Sequence, residues 1–251
     1  MKVSIITVVY NGQATIADAI RSVLSQDYPD IEYIVIDGAS TDGTQKIVQS
    51  FSDRITKFIS EPDRGIYDAM NKGIALATGE IIGILNADDF YADRTIISHV
   101  VEQFQHNSVD SIFGDLIYVR SDNLEKVVRY YSSAKFHPRQ FAYGWMPAHP
   151  TFFVKRSAYE QYGLFKTDYK IAADYEILTR FLAKHQLSYR YLPKVMVKMR
   201  TGGVSTTNWK SNWILNREII RGCAENGIHT NLPKVLSKYF TKVFQLVARP
   251  T

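Results

Sequence analysis

Residues 81–90 read Ile81-Ile-Gly-Ile-Leu-Asn-Ala-Asp-Asp-Phe90, and the parsing of this run decides the fold. Its apolar and small residues make a short buried strand that breaks off at Asn86, Asp88 and Asp89. Upstream, Val3 to Val9 is a β-branched run ended by the turn Tyr10-Asn-Gly12, and Ile31 to Ile36 is a second strand. Between them, Ile16, Ala19, Ile20, Val23 and Leu24 fall at helical spacing within Gln13 to Gln26. Asp37 to Thr44 is a polar loop in which Thr41 or Asp42 caps the next helix. Phe58 to Ser60 is a third, short strand, and a helix from about Ile66 to Ala77 stops at Gly79. Alternating strands and helices give an α/β fold with a doubly wound, mostly parallel sheet. The loops after its strands form the ligand face, and they hold Thr7, Asp37, Glu61, Arg64, Asp88 and Asp89. Two adjacent acids there repel each other unless a cation joins them to something anionic, and oxygen ligands point to Mg²⁺ or Mn²⁺. The other parsing makes Asp88 and Asp89 caps of the helix that begins near Arg94.

Past Phe90 the pattern changes. A helix from about Arg94 to Gln105 leads to an extended segment, Ser111 to Val119, that carries Asp115 and has Val127 to Tyr131 as an antiparallel partner. His137 to Pro150 reads as a loop. Ala158 to Tyr162 is a short helix, and Ala172 to Lys184 is a longer one with Asp174 and Glu176 in its first turn. No repeat or low-complexity segment divides the chain, so residues 1–207 read as one unit, with halves 1–92 and 93–207. Residues 208–251 read as a C-terminal helical appendage.

The 251 residues suffice for a sizeable core, and 45% hydrophobic with 22% charged residues is ordinary for a globular protein. Sixteen Tyr and thirteen Phe suit a carbohydrate or lipid-headgroup surface, but a packed core uses them as readily. Cys223 is the single cysteine, so no internal disulfide forms and nothing points to an oxidising compartment. No apolar run approaches the roughly 20 residues of a membrane span. The opening residues lack a cleavage site, so the expected location is cytoplasmic. No acid follows Glu225, whereas Lys234, Lys238, Lys242 and Arg249 do, so the net charge of +5 is mainly a property of the tail. Without a nucleic-acid-binding motif, this excess does not imply a nucleic-acid partner. Between Val235 and Val247 it flanks an apolar helical face, the pattern of a basic amphipathic helix on an anionic membrane surface. The same face also suits packing on the domain itself or in a dimer.

Neither a Gly-x-Gly-x-x-Gly nor a Gly-x-x-x-x-Gly-Lys-Ser/Thr motif occurs, which disfavours a Rossmann dinucleotide site and a P-loop. Four ordered motifs do stand out: Val3-Ser-Ile-Ile-Thr-Val-Val-Tyr-Asn-Gly12, Val35-Ile-Asp-Gly-Ala-Ser-Thr-Asp-Gly-Thr44, Asp63-Arg-Gly-Ile-Tyr-Asp-Ala-Met-Asn-Lys-Gly73 and Leu85-Asn-Ala-Asp-Asp89. Together they resemble the consecutive motifs of family 2 glycosyltransferases of the bacterial surface-polysaccharide type. The match resumes at His149-Pro-Thr151, Asp174-Tyr-Glu176 and Gly202-Gly203. The resemblance implies a GT-A fold with a nucleotide-sugar-binding first half and an acceptor-side second half. It also implies an inverting, metal-dependent transfer of one sugar.

Such a transfer has two physical demands. Charge that develops on the departing diphosphate must be neutralised, which a divalent cation does. The acceptor hydroxyl must lose its proton, which a separate carboxylate accepts. By resemblance, Asp89 with Asp88 holds Mn²⁺ or Mg²⁺, while Asn86 stands where many members carry an acid. Asp174 is by resemblance the base, although Ala173 replaces the family's usual Glu and leaves Glu176 as the other nearby acid. An Asp at a helix start also serves simply as an N-terminal charge. The resemblance further places Thr7, Val9 and Asp37 at the nucleotide, Arg64, Asp68 and Arg200 near the donor phosphates, and His149 with Glu176 on the acceptor side. For Asp37 a turn residue bonding its own backbone is the competing reading. For Asp68, Asn71 and Lys72 it is an ordinary polar helix face. Gly202 to Ser205 reads as a strip closing over the donor.

The implied partners are a nucleoside diphosphate sugar, with UDP favoured, and a saccharide or polyprenyl-linked saccharide acceptor in surface polysaccharide biosynthesis. Peripheral membrane attachment follows if the tail helix lies on the bilayer. No Gln-x-x-Arg-Trp element appears, which argues against a processive, membrane-embedded synthase. Two other readings remain: a sugar nucleotidyltransferase, for which the Gly-rich, Lys-containing loop is missing, and a non-catalytic nucleotide-sugar-binding or scaffold module.

Overall fold

The computed structural model describes residues 1–202 and 209–239. Strand β1 (Val3–Val9) lies between β2 (Ile31–Asp37) and β4 (Ile81–Ile84), and β3 (Lys57–Ser60) flanks β2, all four in parallel. The register pairs Val9 with Asp37 and Asp37 with Ser60, so the carboxyl ends of three strands come level. Burial on both faces explains the continuous apolar runs. In β1 and β2, Ile6, Val8, Ile34 and Ile36 face one core, and Ile5, Val9, Tyr33 and Val35 face the other.

Helices α1 (Ile16–Leu24), α2 (Thr44–Gln49) and α4 (Ile96–His106) cover the second of these faces. Helix α3 (Ile66–Leu76) covers the first, together with α5 (Arg156–Tyr162) and α6 (Ala173–Thr179), which runs on through a single π turn over Arg180–Lys184. Asp42 acts at the start of α2 as anticipated, its Oδ1 accepting the Thr44 N–H at 2.9 Å. The start of α4 is held instead by Asp93, whose Oδ1 accepts from the Thr95 N–H at 2.8 Å and its hydroxyl at 2.7 Å. Asp88 and Asp89 are therefore not its caps.

Beyond β4 the sheet becomes mixed: with β5 (Asp89–Tyr91), β6 (Ser111–Arg120), β7 (Asn123–Tyr131), β8 (Phe153–Lys155) and β9 (Tyr189–Arg200), the order is β3-β2-β1-β4-β8-β6-β9-β5 with β7 beside β6. The anticipated antiparallel pair is β6 with β7. Three strands were not legible: β5, β8 and β9. Strand β9 runs parallel to β6 and antiparallel to β5, pairing Asp89 with Met199. The acidic run thus ends in a strand of its own, not in a free loop.

The C-terminal region is less of an appendage than its sequence suggests. Helix α7 (Trp209–Glu225) buries Ile219 and Cys223 in the core that holds α6. Helix α8 (Leu232–Leu236) buries Val235 against Gly144. Lys238, expected on a basic outer face, is itself buried, with Nζ 2.7 Å from Asn216 Oδ1. The described start of the tail therefore packs on its own domain, and the rest of the expected helix lies outside the described residues, as do residues 203–205 of the glycine strip. Among the described residues no helix is long and apolar enough to cross a membrane.

One buried acid ties the nucleus of the sheet together. The Glu32 carboxylate on β2 accepts from Ser4 Oγ on β1 at 2.6 Å and from the Thr78 N–H at 2.7 Å, with Lys57 3.3 Å away. Burial alone pushes such a carboxyl up, but the hydrogen bonds outweigh it and hold Glu32 at about 2. A depressed acid stabilises the fold above its unfolded pKa, and that contribution is lost as pH falls from about 4.5 to about 2. Urea unfolding across that window should show the wild type losing roughly 2 to 3 kcal/mol from this source, discounted because solvent screens the partly exposed Lys57. Glu32→Gln should be less stable at neutral pH and lack that part of the acid-dependent loss; an unchanged acid limb would count against this account.

Candidate functional site

The site is built where the parallel strands end. Its first two loops are tied to each other: the Asn11 N–H donates to Ser40 Oγ at 2.7 Å, the Thr41 N–H to Asn11 Oδ1 at 2.9 Å, and the Gly43 N–H to Gln13 Oε1 at 2.9 Å. Asp37 is the root of this network. It is fully buried, and its carboxylate accepts from the Ser40 N–H and hydroxyl and from Ser60 Oγ at 2.6 Å. It therefore behaves as the turn-forming alternative describes, shaping the second loop from inside. Thr7 is also fully buried and accepts from the Tyr33 hydroxyl at 3.1 Å, and Val9 is 6% exposed. Tyr10, which the sequence did not single out, stands 66% exposed beside Gly38.

The third loop enters α3 through Gly65, whose φ of +111° suits a residue without a Cβ. Arg64 is largely solvent-exposed and pairs with Asp68 at 3.3 Å, and Asp68 also accepts the Arg64 N–H at 3.1 Å. Lys72 reaches Glu61 at 2.8 Å. Asn71 turns inward and makes two hydrogen bonds to the backbone of Phe165, at 2.8 and 2.9 Å. This face of α3 is thus an ordinary polar one in part and a structural clip in part.

The acidic run is the electrostatic centre. Among the described residues, both carboxylate oxygens of Asp89 are buried without a hydrogen-bond partner, and so is Asn86 Oδ1. Burial first, then the neighbouring Asp88, pushes the Asp89 carboxyl well above the usual range, against the pull of Arg200. Arg200, at the end of β9, donates to the Asp88 carbonyl at 2.8 Å, pairs with Asp18 on α1 and lies over the Phe90 ring at 5.0 Å. It clamps the loop instead of standing open to a phosphate. The orphaned oxygens of Asp89 fit a hard divalent cation. Among the described residues no three His, Cys, Asp or Glu side chains converge on such an ion, so water and ligand oxygens would complete its shell, as Mg²⁺ chemistry favours.

Opposite lies the start of α6. Glu218 on α7 accepts the N–H groups of Lys170, Ile171 and Ala172 at 2.7, 2.9 and 2.9 Å, and the Tyr67 hydroxyl donates to the Ile171 carbonyl at 2.6 Å. These bonds fix the turn that presents Asp174. Its Oδ1 accepts the Tyr175 N–H at 2.8 Å, and its Oδ2 lies 3.1 Å from Nδ1 of His149. His149 and Asp174 line two adjoining cavities. One, of about 30 Å³, also contains Asn86 and Phe165. The other, of about 210 Å³, is walled by Tyr118, Tyr131, Trp145 and Met199.

Glu176, placed on the acceptor side by sequence, is corrected by the structure. It is fully buried between Arg180 at 2.8 Å and Lys166 at 3.0 Å, accepts from Asn226 at 3.1 Å, and lines neither cavity. Glu218 and Tyr67 escaped the sequence reading. For Glu218 the available signal was an acid set against the apolar stripe Leu215, Ile219 and Cys223 of one helix.

Residues 4–163 match the sequence profile described as Glycosyl transferase family 2. A PGL/p-HBAD biosynthesis glycosyltransferase of Mycobacterium bovis is 28% identical over 209 residues, spanning 81% of this chain and 79% of that protein. An uncharacterised glycosyltransferase of Rickettsia typhi is 30% identical over 224 residues, spanning 87% and 70%. Among solved structures, S. aureus TarS in complex with UDP-GlcNAc superposes with a TM-score of 0.68 at 17% identity, over 97% of this chain and 73% of that one. The mannosyltransferase PcManGT from Pyrobaculum calidifontis, in complex with GDP-Man and Mn²⁺, gives 0.64 at 21% identity, over 100% and 76%. At these identities the likeness establishes the shared GT-A fold.

The buried Asp89 has a measurable signature. An acid whose folded pKa is raised binds its proton more tightly when folded, so stability falls as pH rises through the unfolded value near 4 towards the folded one. In chelator, Asp89→Asn should show a weaker decline in melting temperature than the wild type as pH is raised from about 4 to 8. Parallel curves for the two proteins would contradict the burial cost assigned to this carboxylate.

Proposed function

The chain belongs to glycosyltransferase family 2, and from that premise we propose that it moves one sugar, with inversion, from a nucleoside diphosphate sugar to a hydroxyl of a saccharide or polyprenyl-linked saccharide. A UDP-sugar is the favoured donor, and surface-polysaccharide synthesis at the cytoplasmic face of the membrane is the setting. The observation that carries this reading is the position of Asp174, a fixed carboxylate on the shared wall of two adjoining cavities.

In this mechanism the acceptor oxygen attacks the anomeric carbon as the bond to the diphosphate oxygen breaks, and the hydroxyl proton passes to Asp174. The cross-tied loops that follow β1 and β2 supply a preorganised seat for the nucleotide, with Asp37 building that seat and Arg200 holding the acidic run beside it. Asp89, with Asp88 beside it, would hold Mn²⁺ or Mg²⁺, which neutralises charge on the leaving diphosphate. The larger cavity, with its aromatic walls, seats the acceptor; aromatic faces of this kind suit the apolar face of a sugar ring. The names of the relatives support the setting, since one acts in PGL/p-HBAD biosynthesis, and one structural neighbour was solved with UDP-GlcNAc.

Asp174→Asn should retain nucleotide binding by calorimetry and lose about 10²- to 10⁴-fold in turnover of the donor. Full turnover in that variant would remove Asp174 as the base, whereas turnover absent from the wild type with every donor tried would favour the non-catalytic reading. UDP should bind more tightly with Mn²⁺ than with EDTA, and Asp89→Ala should abolish the difference. Equal binding in EDTA would sink the cation assignment.

A further inference from the structure

Resting on that reading of Asp174, we propose that His149 is a positioning residue that sets the aim of the base. The starting point is how little of Asp174 its own helix controls. At the first turn of α6, a carboxylate has the helix amides as ready partners, and one oxygen does bond to the Tyr175 N–H at 2.8 Å. The other oxygen is turned away from the helix towards His149, 3.1 Å from Nδ1.

His149 comes from a separate and rigid piece of the chain. It opens the 3₁₀ turn His149–Thr151, in which Pro150 fixes the backbone and Thr151 bolts the turn to β6. Thr151 Oγ1 donates to the Gly114 carbonyl at 3.1 Å and accepts the Gly114 N–H at 3.1 Å. The preceding Ala148 N–H donates to Ser133 Oγ at 3.1 Å. The α6 side is held just as firmly by the three bonds to Glu218. Two bodies anchored by their own networks therefore meet at one close polar contact, and neither depends on it for its place.

A partly exposed polar contact of this kind contributes little to stability. Its effect is geometric. An Nδ1–H turned to Oδ2 across this contact would hold the carboxylate plane at the wall shared by the two cavities. Asp174 stays the proton acceptor, and His149 neither touches the reacting atoms nor exchanges the proton. Free rotation of the carboxyl would let the base and acceptor hydroxyl fall out of line, and misplacements of about 1 Å cost on the order of 100-fold in rate.

Two measurements test this. The first needs no substrate: in ¹⁵N long-range correlation spectra taken where His149 is neutral, the wild type should carry the imidazole proton on Nδ1, and Asp174→Ala should move it to Nε2. The second compares His149→Ala with His149→Asn, whose side-chain amide places a donor where Nδ1 stood, using UDP release from the UDP-sugar that the wild type turns over. His149→Ala should lose about 10- to 100-fold in kcat with the donor KM within about twofold, and His149→Asn should recover most of the loss. A proton on Nε2 in the wild type, an alanine variant within twofold of wild-type kcat, or an asparagine variant no better than alanine would each overturn the proposal. If Asp174→Asn is inactive while His149→Ala is not, only the positioning role fails; if Asp174→Asn is fully active, the base assignment fails instead.

Discussion

Placing two adjacent carboxylates at the end of a buried strand is costly, because burial removes the water that would screen their repulsion. Here the cost is contained by Arg200, which grips the Asp88 carbonyl, the Asp18 carboxylate and the face of Phe90. Its guanidinium reaches these groups because β9 brings it alongside β5, the three-residue strand that begins with Asp89. The clamp orients the backbone and moderates the field, yet among the described residues it leaves both Asp89 oxygens without a hydrogen-bond donor. The resulting site is poised for a ligand that supplies positive charge. Much of the mixed half of the sheet can be understood as the scaffold that puts β9 in place to do this.

The other half of the chemistry is held by a different device. Glu218 gathers three consecutive backbone amides ahead of α6, meeting hydrogen-bond demand that the helix start cannot satisfy internally. Because Glu218 sits on α7, the C-terminal region takes part in shaping the site. Its burial of Ile219, Cys223 and Val235 belongs to the same core that supports Asp174. Site and core are therefore continuous on this side, whereas the loops that follow β1 and β2 are braced chiefly by hydrogen bonds to each other.

What the sequence disclosed follows from these physical differences. Strands β1, β2 and β4 are buried on both faces, so they show as unbroken apolar runs, and the loops after them carry their polar residues in compact motifs. Strand β9 was hidden because Pro193, Lys194 and Lys198 interrupt its apolar pattern, and β5 and β8 are too short to register a period. The family resemblance suggested an acceptor-side role for both His149 and Glu176. Only tertiary packing separates them: His149 turns to Asp174 at the cavity wall, while Glu176, two residues beyond Asp174, points into a buried pairing with Arg180 and Lys166. Arg180, four positions on, is a local partner that the sequence shows, but the burial that Lys166 and Asn226 complete is set by packing and leaves no local mark. The same holds for Glu218, whose partners lie more than forty positions upstream.

A single carboxylate base acting opposite the departing diphosphate allows one stereochemical outcome, since attack from that face inverts the anomeric centre. Proton NMR of the product formed from an α-linked nucleotide sugar, either the new glycoside on a saccharide acceptor or, with water as acceptor, the free sugar read before mutarotation, tests this directly. The account predicts that the β-anomer appears first. Initial formation of the α-anomer would contradict it, because retention requires either a second displacement at the sugar carbon or attack from the leaving-group side, and Asp174 as base provides neither.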